Sequence, residues 1–294
     1  MLTKTEMPNP SHTELDLYSA DDLIDVLIDD QRNALTAVWE SREKLAEAVR
    51  EALPRMRAGG RLIYVGAGTS GRLGLMDSVE LYPTFSWPKH RAIALLAGGS
   101  RAIRESIEGA EDDERQGASD MLAVKPAAHD VVLAIAASGR TPFVLGALRA
   151  ARKAGALTIG LANNPNASVV TEAHIGIVLD TGPEVISGST RLKAGTAQKI
   201  ALNSFSSALM VGLNKVYGNL MVDLRPTNAK LIHRSVNLTT HATGASDELA
   251  RRTLESCGFQ VKVAIVALKR GIGVTEAESQ LAAVDGSVRR AIAE

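Results

Sequence analysis

Gly66-Ala67-Gly68-Thr69-Ser70-Gly71-Arg72 follows directly on the apolar run Leu62–Val65. Ala137-Ser138-Gly139-Arg140-Thr141 follows the run Val131–Ala136 in the same way. Each stretch reads as a buried β-strand, a tight glycine turn and the start of a helix. That geometry leaves backbone N–H groups and small hydroxyls facing open space, where the helix dipole adds positive potential. Such a loop suits a phosphate group. Two of them in one sheet predict a phosphorylated small molecule lying across the carboxyl ends of the strands.

The first loop also satisfies G-x-G-x-x-G with Gly66, Gly68 and Gly71. A dinucleotide would then need an acidic residue about 20 positions on, at the tip of the second strand, to hold the ribose. The second strand, Ala92–Leu96, runs instead into Ala97-Gly98-Gly99-Ser100. The pairs Thr69/Ser70 and Ser138/Thr141 suit a lone phosphate better than a pyrophosphate. Neither a redox cofactor nor a metal is expected.

The apolar runs continue on both sides of these loops. Helical spacing extends from Leu23 to about Met56, with a helix start at Ser19-Ala20-Asp21-Asp22 and an interruption near Asp29–Gln31. Strands are expected at 61–65, 91–96, 131–136, 157–161 and 174–179, and helices at 70–80, 101–122 and 142–153. Alternation of this kind predicts an α/β fold, a parallel sheet with helices on both faces. Lys193–Tyr217 reads as one long helix, apolar on more than one side and so buried in the domain or against a second subunit. After 226 the pattern is helical only. The expected organisation is an N-terminal helical segment over 1–58, a sheet domain over 59–226 and a helical bundle over 227–294.

Composition excludes several function classes. Among 294 residues, 33 Lys and Arg balance 33 Asp and Glu, so no bulk field attracts nucleic acid or a membrane surface. Aromatic residues make up 3 %, too few for a platform that stacks bases. The single cysteine, Cys257, excludes an intrachain disulfide and a cysteine-rich metal site. No apolar run approaches the ~20 residues that span a bilayer. The N-terminus lacks a signal pattern, and the expectation is a soluble cytoplasmic protein.

Two glutamates stand out by placement. Glu80 closes the helix that the first loop opens, and Glu111 lies beyond the second strand in Glu108-Gly109-Ala110-Glu111-Asp112. At ~1.5 Å per residue, an unbroken helix puts Glu80 about 15 Å along the axis from Ser70. Either the ligand extends well away from its phosphate, or a dimer interface completes the site. A third polar loop, Gly182–Lys193, offers Ser187 and Ser189 to phosphate or sugar hydroxyls, with Glu184 and Lys193 able to reach in. It reads equally well as a capped helix start. His90 and His233 are set aside as structural.

GAGTSGRLG at 66–74, Glu80 ahead of Pro83-Thr84, EGAED at 108–112, IAASGRTPF at 135–143, SGSTRLKAGTAQK at 187–199 and GNLMVDLRPTNAKL at 218–231 form an ordered series. Together they resemble the N-acetylmuramic acid 6-phosphate etherases, bacterial enzymes built on a sugar isomerase (SIS) domain. The resemblance covers nearly the whole chain beyond the first 18 residues. It implies an SIS-type, flavodoxin-like sheet and a C-terminal bundle similar to a ubiquitin-associated fold. It also implies action on a phosphorylated amino sugar in peptidoglycan recycling and amino sugar catabolism, while the long apolar helix over Lys193–Tyr217 makes a homodimer the expected assembly. The reaction would split the ether at carbon 3, giving N-acetylglucosamine 6-phosphate and D-lactate. Glu80 matches the family's proton donor and Glu111 its second active-site glutamate. Gly68, Thr69, Ser70, Ser138, Arg140, Thr141, Glu184, Ser187, Ser189 and Lys193 are the expected substrate-binding residues. The residues flanking Glu80 (Ser78, Val79, Leu81, Tyr82) are bulkier than the Ala-Ser-Glu-Cys-Pro-Pro type of run in relatives.

The chemistry explains the pair of carboxylates. A base, Glu111, takes the carbon-2 proton of the open-chain sugar, and an acid, Glu80, protonates the departing lactyl oxygen. To act as the acid, Glu80 must hold a proton near neutrality, which requires burial or a neighbouring carboxylate. Two rival readings share the fold: an aldose–ketose isomerase, and a sugar-phosphate sensor similar to the glucokinase regulatory protein.

Overall fold

The computed structural model describes residues 3–224, 226 and 228–293. Arg225 and Thr227, within the last quoted motif and at the expected 226/227 boundary, lie outside the described residues. The chain divides into two compact units, Met1–Ser78 with Lys89–Ser207, and Val79–Pro88 with Ala208–Glu294.

The first unit is a parallel sheet of β1 (Leu62–Gly66), β2 (Ala92–Leu96), β3 (Val131–Ile135), β4 (Leu157–Ala162) and β5 (Ile175–Val178). The strand order is β2-β1-β3-β4-β5 and all neighbours are parallel. β1, β3 and β4 are buried throughout. Covered on both faces, they take continuous aliphatic runs rather than an alternating pattern. Three N-terminal helices precede the sheet: α1 (Ala20–Asp29), α2 (Arg32–Glu40) and α3 (Arg42–Arg57). Ser19 caps α1 by accepting from Asp22 N–H. Helix α4 spans Gly68–Phe85, α5 Glu114–Ala123, α6 Pro142–Lys153, α7 Ser168–Glu172 and α8 Lys193–Gly212.

The helix expected over 101–122 is a correction. Only Glu114–Ala123 is α-helical, preceded by 3₁₀ turns at Gly99–Ile103 and Ala110–Asp112. Gly98, Gly99 and Gly109 carry positive φ. At Gly98 a Cβ would meet Ile107 at 2.9 Å, because the segment folds back on itself.

The long helix also ends early, at Gly212 rather than Tyr217. Asn214 and Gly218 have positive φ, and Val216–Tyr217 (β6) pairs antiparallel with Leu220–Met221 (β7). The apolar stripe of α8 in the first unit, Ala197, Ala201, Leu202 and Phe205, is buried within the chain itself.

The second unit adds α9 (Ala229–Thr243), α10 (Asp247–Ser256), α11 (Val261–Arg270), α12 (Val274–Ala283) and α13 (Val288–Ala293). They close around Leu254, Val261, Ile265 and Val266, and Cys257 sits among them as a packed thiol. Ser246 caps α10 by accepting from Leu249 N–H.

Candidate active site at the carboxyl edge of the sheet

In a sheet of order 2-1-3-4-5, neighbouring connections leave β1 and β3 in opposite directions. Ligands then bind in the crevice outside the carboxyl ends of those two strands. The two glycine loops are the loops that follow β1 and β3.

The first loop is shaped by three glycines with different duties. Gly68 has φ +52°, a conformation costly for other residues. Gly66 and Gly71 pack on one another: a Cβ on Gly66 would lie 2.6 Å from Gly71 Cα, and one on Gly71 2.3 Å from Leu96 Cδ1. Helix α4 therefore starts hard against β1, with the first-turn N–H groups of Gly68, Thr69 and Ser70 lacking helical acceptors. Ser70 is buried and Thr69 half-buried.

In the second loop Gly139 has φ +66°, and a Cβ there would meet Ala167 Cβ at 2.3 Å. Ser138 Oγ accepts from Arg140 N–H at 3.2 Å, which tightens the turn. Thr141 precedes Pro142 at the start of α6 and makes no side-chain cap bond, so its hydroxyl is not spent on the helix. Arg140 is exposed.

The third loop is tied to the other two. A Cβ on Gly195, in the first turn of α8, would meet Thr69 Cγ2 at 3.3 Å. Glu184 is fully buried, and its carboxylate accepts from Lys193 N–H at 3.1 Å and Ala194 N–H at 2.9 Å. It caps α8, although burial pushes its carboxyl up against the pull of those N–H groups. Lys193 is buried and its ammonium donates to Asp30 Oδ1 at 2.7 Å. Both residues therefore build the loop rather than face a ligand. Ser187 is exposed, with its hydroxyl accepting from Asn9 N–H at 3.1 Å, and Ser189 is half-buried.

Several functional partners were not legible in the sequence. Asn164 Nδ2 donates to Ala137 O in the second loop and to Thr5 Oγ1, both at 2.9 Å. Asn163 Nδ2 donates to Leu179 O at 3.0 Å, while its Oδ1 accepts from Gln198 Nε2 on α8 at 2.9 Å. The available signal was the run Asn163-Asn164-Pro165-Asn166 beyond β4, at the same sheet edge. Thr5 gave none. Arg72 donates to Ala102 O and Glu105 O, both at 3.0 Å, and holds the turn that leads to Glu111. Asp77, buried on α4, accepts from Tyr64 Oη at 2.7 Å, Asn203 Nδ2 at 2.6 Å and Ser206 Oγ at 3.1 Å.

Glu111 is exposed in the 3₁₀ turn Ala110–Asp112, behind the left-handed Gly109. The N-cap of α5 is Asp113, which accepts from Gln116 N–H at 2.8 Å. Thus the first unit contains Glu111 and all three loops. Glu80 belongs to the second unit and is exposed on α4. Among the described residues no group of three or more His, Cys, Asp or Glu is placed to hold a metal ion, and no helix is long and apolar enough to cross a membrane.

Paired glycine loops at the switch point of a five-stranded parallel sheet define an SIS-type α/β fold. The SIS domain model matches residues 117–208, and the model of the glucokinase regulatory protein N-terminal SIS domain matches residues 44–152. The chain is 55 % identical over 291 residues to an N-acetylmuramic acid 6-phosphate etherase of Deinococcus radiodurans, covering 99 % of this chain and 95 % of that one. It is 47 % identical to the etherase of Geobacillus thermodenitrificans, with 98 % of each chain covered. The etherase of Cutibacterium acnes is 45 % identical, over 100 % of this chain and 96 % of that one. The chain belongs to the N-acetylmuramic acid 6-phosphate etherase family.

Proposed function

We propose that this protein is a carbon–oxygen lyase that converts N-acetylmuramic acid 6-phosphate to N-acetylglucosamine 6-phosphate and D-lactate. The observation that carries this reading is the pair of glycine loops at the β1/β3 switch point, in a chain that matches etherases almost end to end. The phosphate is held by first-turn N–H groups of α4 and α6, by the hydroxyls of Thr69, Ser70, Ser138 and Thr141, and by Arg140. Ser187 and Ser189 face the sugar. Glu184 and Lys193 act one step back, setting the loop that presents those serines.

Glu111 removes the carbon-2 proton of the open-chain aldehyde. The electron pair forms the carbon 2–carbon 3 double bond as the carbon 3–oxygen bond breaks, and Glu80 delivers a proton to the lactyl oxygen. Water then adds at carbon 3, with the two groups in reversed roles. Each positioned acid or base contributes ~10²–10⁴-fold, and the anchored phosphate orients the reacting carbons.

The exposure of Glu80 supports a site completed by a second copy of the chain. An acid that holds its proton near neutrality needs a drier setting than an exposed helix face. Met76 and Val79, 45 % and 59 % exposed beside it on α4, supply an apolar surface for that copy. Ile24, Ile28, Leu35 and Trp39 are further exposed apolar residues, on α1 and α2. The protein is therefore read as a cytoplasmic homodimer that handles no nucleic acid.

The test is D-lactate release from N-acetylmuramic acid 6-phosphate by wild type, Glu80→Gln and Glu111→Gln. Release by wild type and a loss of about 10²-fold or more in each variant is expected. An isomerase would tolerate Glu80→Gln, and a sensor would bind the sugar phosphate without releasing lactate.

A further inference from the structure

The second unit carries an open cleft of about 1000 Å³ that the proposed lyase chemistry does not use. Lys215 and Lys262 stand in its wall, and both ammonium groups pair with one oxygen, Asp223 Oδ2, at 2.8 Å each. The three side chains are 21 %, 12 % and 22 % exposed. Two cations share one carboxylate, so these three side chains by themselves carry a net positive charge, largely withdrawn from water, with Glu278 the other carboxylate of the wall. Such a charge is costly unless a further anion balances it. Burial pushes the Lys262 ammonium down, Asp223 opposes that, and the neighbouring Lys215 adds to it. Glu278 accepts from Gln260 Nε2 at 3.4 Å.

Each ammonium has three N–H donors and gives one to Asp223. Helix α11 begins in the same wall, and its N-cap Gln260 makes no side-chain cap bond. Phe259 lines the cleft in a left-handed conformation, φ +58°, which is rare for a bulky residue and recurs at ligand sites. Its ring, with Val222 and Leu281, supplies an apolar surface for an organic body.

We propose that this cleft binds the phosphate monoester of a small organic molecule, with the phosphate bridging the ammonium groups of Lys215 and Lys262. Tyr82 and Ser86 line the cleft from the segment that carries Glu80, and Ser86 Oγ donates to the Asp223 carbonyl. The ligand is thus an effector of the lyase. That role rests on the proposed function, whereas binding itself does not.

Calorimetric titration of the full chain with N-acetylglucosamine 6-phosphate tests the site by counting. Wild type is expected to bind two molecules per chain. Lys215→Met and Lys262→Met should each bind one, while Lys262→Arg keeps both. Ser70→Ala/Ser138→Ala should retain the cleft site alone. Thermal melts establish that each variant folds, and if both methionine variants unfold, the loop double variant decides. A folded Lys262→Met that binds as many molecules as wild type, or none bound by the loop double variant, overturns the proposal. Lactate release is scored separately, so failure of the lyase reading is distinguishable from failure of this one.

Discussion

The two edges of the same five strands are finished in opposite ways. At the amino edge, charged side chains close off the backbone. Asp130 accepts from Arg61 N–H at 2.9 Å, Arg61 Nη2 at 2.6 Å and Ala127 N–H at 2.9 Å. Arg91 donates to Gly60 O and Met56 O, and His174 Nδ1 accepts from Thr158 N–H. At the carboxyl edge, glycines bring the start of α4 against the sheet, and its first-turn N–H groups have no helical acceptor. Asparagines brace the second loop and the start of α8, and the buried Lys193–Asp30 ion pair braces the third loop. Satisfied polar groups make an edge stable, and groups held in place but unsatisfied make an edge that binds.

Substitutions at the two edges should therefore separate binding from stability. The largest effect is expected from Ser70→Ala/Ser138→Ala. A hydrogen bond to a charged group is worth ~1.5–3 kcal/mol, so kcat/KM should fall about 10²–10⁴-fold with little change in Tm. A drop in Tm with activity retained would erase the distinction. Asp130→Ala is next, and removing one partner of a buried pair should lower stability by about 3 kcal/mol. Chemical denaturation measures it, and D-lactate release by the folded fraction should stay near wild type. Thr5→Ala sharpens the comparison from the carboxyl side. Loss of its hydrogen bond to Asn164 should cost about 1 kcal/mol and raise KM.

The smallest effect concerns pH. Burial pushes the Asp130 carboxyl up, but the Arg61 and Ala127 donors more than offset this and hold it below the usual carboxylate range. A depressed carboxyl contributes stability above its unfolded pKa, about 4, and loses it as pH falls through the folded value. Asp130→Asn should then flatten the acid limb of the stability–pH curve below about pH 4. An unchanged limb would show that Arg61–Asp130 does not set it.

The strands and their order of alternation were legible because a strand buried on both faces can only be a short aliphatic run. The two glycine loops were legible for a related reason, since glycines directly after such a run mark the turn into the next helix. The segment 101–122 misled because its helical spacing hides Gly109, whose left-handed conformation splits it. Glu184 and Lys193 were read as polar residues of the third loop, but only coordinates show the carboxylate capping α8 and the ammonium turned to Asp30. Thr5 and Asn164 make contact across 159 positions of sequence, a pairing that no local pattern encodes.

Proton exchange at carbon 2 tests the division of labour between the two glutamates most directly. In deuterated water, Glu80→Gln should wash deuterium into carbon 2 of N-acetylmuramic acid 6-phosphate without releasing D-lactate, because base and phosphate loops remain while the acid is gone. Glu111→Gln should do neither. Exchange by Glu111→Gln, with none by Glu80→Gln, would contradict the account and reverse the roles of the pair.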